Sequence, residues 1–314
     1  MGTTRYTLEH EGEQVITLDI PLPTHIPVLV NQIIAGLQPQ PGGHFIDCTV
    51  GLGGHASAIL ERILPDGKLL GIDADPEAIQ LTNAKLAHYS EALILVNDNF
   101  TNVSNICQEY DFHPVDGILF DLGISSWQLD TAQRGFSFQR EAPLDMRFNT
   151  NQGLTADDLV NTLSEQELGR ILREYGEEHH SRKIAHYIVQ NRPIHTTLKL
   201  ARVVKQVLGG KHTRIHPATR TFMAFRIAVN GELENLETAL GQTINLLRPG
   251  GRLAVISYHS LEDRIVKRFM RQESSTEIPT LRLISRKVNR PTSLETKSNP
   301  RSRSAKLRIA ERLS

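Results

Sequence analysis

Asp47-Cys48-Thr49-Val50-Gly51-Leu52-Gly53-Gly54-His55, followed by Leu69-Leu70-Gly71-Ile72-Asp73, is the stretch whose reading decides the fold of this chain. Glycines in a turn let backbone approach a ligand closely, and an acid about 20 residues further on is placed to accept hydrogen bonds from a ribose hydroxyl pair. The run from His44 to Val50 is β-rich and leads into a helical pattern through Ala58, Ile59, Ile63 and Leu64. The turn therefore sits where a parallel sheet binds ligands, and the pair of features reads as a nucleoside-containing cofactor site. Gly51, Gly53 and Ala56 also satisfy the dinucleotide pattern G-x-G-x-x-G/A, which would place NAD here. Against NAD stand the consecutive Gly53-Gly54 before His55 and the lack of a second mononucleotide half with its own glycine turn. S-adenosylmethionine, which has no pyrophosphate to cradle, suits the turn better.

Strand-like runs recur at His44 to Val50, Lys68 to Ile72, Leu93 to Val96, Gly117 to Phe120 and Arg252 to Ile256. Helical segments between the first four predict a parallel α/β sheet. The stretch between the fourth and fifth is far too long for one crossover and carries helix signals of its own. Thr155 to Asp158 and Ser164 to Glu167 read as capping boxes, and Leu200, Val203, Val204, Val207 and Leu208 form an apolar stripe before Gly209-Gly210. The prediction is a helical insertion over 137–232, a crossover helix from Leu233 to Leu247, and a main domain of 25–136 plus 233–314. Leu261 to Met270 reads as a helix, and Leu281 to Val288 and Ala305 to Arg312 read as a closing antiparallel pair. Residues 1–24, polar and then punctuated by Pro21 and Pro23, form an N-terminal extension. The expected fold class is α/β, a Rossmann-like class I methyltransferase sheet with an inserted helical domain.

At 314 residues the chain has ample length for a core. No basic-then-apolar leader and no apolar run of membrane-spanning length is visible, and Cys48 and Cys107 form no C-x-x-C pair, so the expectation is a reduced cytoplasmic setting without membrane contact. A net charge of zero hides segregation: residues 170–226 hold 12 Lys or Arg against 3 acids, and residues 261–314 hold 14 against 6. Two basic blocks in a neutral chain suit a face that meets nucleic acid, although such residues also populate ordinary solvated helices. The thirteen histidines include His179, His180 and His186, but no H-E-x-x-H motif accompanies them and no metal is expected.

Taken together, Asp47 to His55, Asp121-Leu-Gly-Ile-Ser-Ser126, Arg134-Gly-Phe-Ser-Phe138, Leu144-Asp-Met-Arg147, Tyr258-His-Ser-Leu-Glu-Asp-Arg264 and Asn299 to Arg308 closely resemble the bacterial RsmH family, also called MraW, from about His25 to Arg312. The resemblance implies methyl transfer from S-adenosylmethionine to the exocyclic N(4) amine of a cytidine in the decoding region of 16S rRNA, within the small ribosomal subunit. It implies cofactor contacts at Gly53, Gly54, His55, Asp73, Phe100, Asp121 and Gln128. Three positions depart from the family pattern: Met223 stands where Gln is usual, Tyr258 where Phe is usual and Phe148 where Met is usual; none falls among those implied contacts.

The chemistry adds its own demands. The cytosine amine is a weak nucleophile, so it must be aligned with the methyl donor and its protons must meet an acceptor. Asp121, at the end of the fourth strand, is the geometric candidate for that acceptor or for a cofactor anchor, and the Asp/Asn-Pro-Pro-aromatic template of many amino-methyltransferases is replaced by Asp121-Leu122-Gly123-Ile124. Asp145 and His259 are further catalytic candidates, with pairing to Arg147 and helix capping as their structural alternatives. Trp127 is a candidate stacking platform, and Arg220 and Arg226 are candidate phosphate contacts. The competing reading is an RNA-binding or ribosome-assembly factor that retains the cofactor pocket without catalysis.

Overall fold

A computed structural model describes residues 6–8, 16–18, 26–151, 153–209, 216–285 and 287–314. Of the expected extension, β1 (Tyr6–Leu8) and β2 (Ile16–Leu18) pair antiparallel, and its other residues lie outside the described ones. The main sheet comprises β3 (His44–Asp47), β4 (Lys68–Asp73), β5 (Leu93–Asn97), β6 (Val115–Asp121), β7 (Leu247–Ser257), β8 (Leu281–Leu283) and β9 (Lys306–Arg312). Its order is β5-β4-β3-β6-β7-β9-β8, with β5 to β7 parallel and β9 antiparallel to both its neighbours. The chain steps outward from β3 to β5 and then restarts at β6 on the other side of β3. That reversal opens a crevice at the carboxyl ends of the strands. Asp47, Asp73 and Asp121 each end a strand at that edge.

Two predicted strands are shorter than their apolar runs suggested. β3 stops at Asp47 because its carboxylate accepts the Thr49 N–H at 3.1 Å and turns the chain. β8 stops at Leu283: Ser285 bends the chain by donating its hydroxyl to the Lys287 carbonyl, and contact with β9 resumes only at Asn289 opposite Leu307.

Between β6 and β7 lie the helices Ala156–Thr162, Glu165–Glu174, Ser181–Gln190, Thr197–Leu208 and Thr219–Asn230. The first two open with the capping boxes read from sequence, Thr155 with Asp158 and Ser164 with Glu167. These helices bury a cluster of their own that includes Leu168, Leu172, Ile184, Leu200, Val204 and Phe225. The chain returns through the helix Glu232–Leu246, whose Leu236, Ala239 and Leu240 belong instead to the core of the sheet. Among the described residues no helix is long and apolar enough to cross a membrane.

Candidate active site

The glycine turn is held from three sides. Thr82 donates its hydroxyl to the Gly51 carbonyl at 2.6 Å, Lys85 donates to the Leu52 carbonyl at 2.8 Å, and the Gly51 N–H donates to Asp73 Oδ2 at 2.8 Å. Gly53 has φ +70°, and a Cβ there would lie 2.8 Å from Leu86 Cδ1 and 2.9 Å from Thr82 Cγ2, so only glycine serves. Gly53 thus shapes the turn from behind, whereas Gly51, Gly54 and His55 line a cavity of about 320 Å³. Asp73 enters the same cavity with both oxygens already oriented, Oδ1 by the Asp75 N–H at 2.9 Å and Oδ2 by Gly51. Each oxygen keeps a further lone pair for a ligand donor. Phe100, in the short helical turn after β5, lines the cavity with its ring edge-on to Phe120 at 5.6 Å between centroids.

Asp121 is the hub of the wall it shares with His55. Its N–H donates to Thr49 Oγ1 at 2.6 Å, its Oδ1 accepts the Tyr258 hydroxyl at 2.9 Å, and its Oδ2 lies 3.4 Å from His55 Nε2. Tyr258, outside the contacts that the resemblance implies, lines the cavity because it follows β7, whose Ile256 is in register with Asp121. Phe148 likewise lines the cavity. Burial pushes the Asp47 carboxyl up to about 7, with His55 and the Thr49 N–H pulling it back. Burial also raises Asp73, to about 6. For His55 burial opposes the charge, but Asp121 and Asp47 outweigh it and raise its pKa.

These raised values fix the sign of a pH dependence. Groups that hold protons more tightly when folded stabilise fully below their unfolded pKa, and that contribution is lost as pH rises through the folded one. Stability is therefore expected to fall between about pH 5 and about pH 8, and Asp47→Asn is expected to flatten that slope in urea titrations at the two pH values.

Gln128 lines the cavity while its side chain is bound at both ends, accepting from the Ser125 N–H at 3.0 Å and donating to Asp75 Oδ2 at 2.9 Å. Other sequence candidates fall elsewhere. Trp127 is half-buried outside the cavity lining, with its Nε1 3.4 Å from Glu77. Asp145 sits on a separate groove with Asp157 and His195 and is held by Arg147, whose Nε donates at 3.0 Å and Nη2 at 2.7 Å. His259 caps the helix Ser260–Glu273 through Nδ1, 3.4 Å from the Glu262 N–H, and its neighbours Tyr258 and Glu262 line the cavity in its place. Both residues therefore take their structural alternatives. Arg220 is exposed on the insertion, donating to the Glu177 carbonyl at 3.3 Å. Arg226, the other candidate phosphate contact, lines the cavity, with Nε and Nη2 each 2.8 Å from a Glu232 oxygen.

Among the described residues, ligand atoms of Glu232, His259 and Glu262 lie within 4.8 Å of one another. Arg226 already supplies positive charge to Glu232 there, and Glu262 Oε2 accepts from the Tyr258 and His259 N–H groups at 2.8 and 3.2 Å.

Residues 23–313 match the model of the MraW methylase family. The chain belongs to that family. A ribosomal RNA small subunit methyltransferase H of Dehalococcoides mccartyi is 54% identical over 302 residues, covering 92% of this chain and 86% of the relative. The one from Thermomicrobium roseum is 48% identical over 315 residues, covering 95% of this chain and 97% of the relative. Among solved structures, an rRNA methylase from Streptococcus thermophilus aligns over 93% of this chain and 100% of its own, at 11% identity and a TM-score of 0.44. The MraW assignment makes this chain a methylase. The reversal of strand order, the glycine turn and the acids at the strand ends are how this MraW chain builds its cavity.

Proposed function

We propose that this protein methylates the exocyclic N(4) amine of a cytidine in the decoding region of 16S rRNA, using S-adenosylmethionine, on the small ribosomal subunit in the cytoplasm. The observation that carries the reading is one cavity, in a methylase family chain, that offers Asp73, Phe100 and Asp121 together. The residues fit the cofactor. Asp73 presents oriented acceptors for ribose hydroxyls, Phe100 a flat apolar wall for adenine, and the half-buried Asp121 a negative setting for a cationic amino-acid tail. Gly54, His55 and Gln128 complete the cradle, and Gly53 holds the turn from behind. When bound, S-adenosylmethionine supplies an electrophilic methyl group to an attacking amine.

The protein's own part is alignment and proton acceptance. Asp121, fixed by Tyr258 and by its N–H bond to Thr49, is the acceptor for the amine protons, at the cavity wall shared with His55. The target nucleotide leaves its stack to enter, at a cost of a few kcal/mol. The helical part 137–232 serves as the substrate-recognition domain, with Arg220 on its exposed face and Trp127 beside the entrance meeting RNA. The family membership and the names of the curated relatives support rRNA as substrate.

The test is transfer of labelled methyl from S-adenosylmethionine to small subunits from cells lacking the protein, followed by nucleoside analysis. Label in N(4)-methylcytidine is the expected result. Cofactor-independent binding of the subunits with no label transferred would point to the assembly-factor reading instead.

A further inference from the structure

The cavity has a second half that the cofactor contacts leave unused. Opposite the glycine turn its wall is built by the end of the helix Thr219–Asn230 and the start of the helix Glu232–Leu246, joined at Gly231, whose φ is +59°. Arg226 reaches the cavity from the first helix and Glu232 from the second, with side chains 14% and 8% exposed. The two bonds to Glu232 use the Nε and Nη2 side of the guanidinium and fix its plane. Among the described residues Nη1 donates to no protein acceptor, so the fork formed by Nη1 and Nη2 is left facing other partners. A cation held this deep does not suit a phosphate on the outside of an RNA strand. It suits a flat group that enters the cavity and presents two adjacent acceptors.

We propose that the Arg226 fork, clamped by Glu232, reads the O2 and N3 acceptors of the target cytosine and so determines base specificity. The inference rests on the cytidine reading above and adds the residue that selects the base. Cytosine offers acceptors at both O2 and N3, whereas uracil carries a proton on N3 that would meet an Arg donor. N4 is the neighbour of N3 on the same edge of the base, so a base so held carries its amine beside the fork, at the end of that edge away from O2, and the amine protons are left for the remaining lining, to which Asp121 and Tyr258 belong. Glu232 is thereby a positioning residue, and Arg226 touches substrate.

The experiment is competitive binding to the cofactor-loaded protein of small subunits whose target position carries cytidine, 3-deazacytidine or uridine. The deaza base lacks only the N3 acceptor, so this arm needs no altered protein. Each replacement is expected to weaken binding about 10- to 100-fold, the range of a lost bidentate contact. Equal binding of all three would overturn the proposal. In Arg226→Gln, and in the double variant Arg226→Gln with Glu232→Gln that leaves no buried carboxylate unpaired, cytidine and uridine subunits are expected to bind equally while cofactor affinity is kept. A uniform loss for all bases with a salt slope lower by about 1 would assign Arg226 to phosphate and also overturn it. Absence of methyl transfer by the unaltered protein would instead remove the catalytic reading; discrimination among the three subunits is read separately from it.

Discussion

Replacing Asp73 by Ala is expected to weaken S-adenosylmethionine binding by about 100-fold or more, corresponding to roughly 3 kcal/mol. Two losses add. The ligand hydroxyls lose their charged acceptor, and the Gly51 and Asp75 N–H groups that now donate to the carboxylate at 2.8 and 2.9 Å are released into a buried site. The second loss loosens the turn itself, since Gly51 is held on its other side only through its carbonyl by Thr82. Isothermal titration with the cofactor measures the effect, and an affinity within a few-fold of the unaltered protein would mean that Asp73 does not carry the ribose. Asp73→Asn separates the two terms: it retains an acceptor for one backbone donor and is expected to bind with intermediate affinity.

The largest expected loss of stability comes from Arg134→Ala, about 3–5 kcal/mol, the usual result of leaving a buried charge without its partner. Asp75 is fully buried, and Arg134 meets its Oδ2 at 2.7 Å with a side chain only 5% exposed. The same guanidinium donates to the Arg147 and Phe148 carbonyls at 3.0 and 2.8 Å, tying the segment that precedes the first helix of the insertion to the turn after β4. Urea unfolding would show the midpoint falling with little change in slope. Arg134→Lys, which keeps the charge but not the fork, is expected to recover only part of the loss. A midpoint unchanged in Arg134→Ala would show that Asp75 finds another partner.

Much of this architecture was legible in the residues because the relevant forces are local. Alternating and continuous apolar runs marked the five parallel strands, and the two capping boxes announced helices where helices stand. The site was legible where a single turn and the strand ends build it, at Gly51 to His55, Asp73 and Asp121. It was hidden where a side chain's direction depends on a turn or on a distant partner. Arg226 and Glu232 are neighbours in the chain, but their spacing does not say that a left-handed Gly231 between two helices brings them together at the cavity. Arg134 appeared only inside a recognised motif, because its partner Asp75 belongs to a different helix start. For Asp145 and His259 the structure shows the contacts that sequence offered as alternatives to catalysis, an ion pair with Arg147 and the cap on the helix that carries Glu262.

The position of β7 has a consequence for how the molecule is made. Its Ile256 lies beside Asp121 of β6, yet every residue of the helical insertion is threaded between those two partners. Closing that interval is entropically unfavourable until the intervening helices have condensed, so the right-hand half of the sheet forms late. The helix that leads into β7 packs one face, with Leu236, Ala239 and Leu240, into the sheet core and so joins the insertion to that core. The wall carrying Tyr258 thus comes into being only when the chain beyond the insertion is in place.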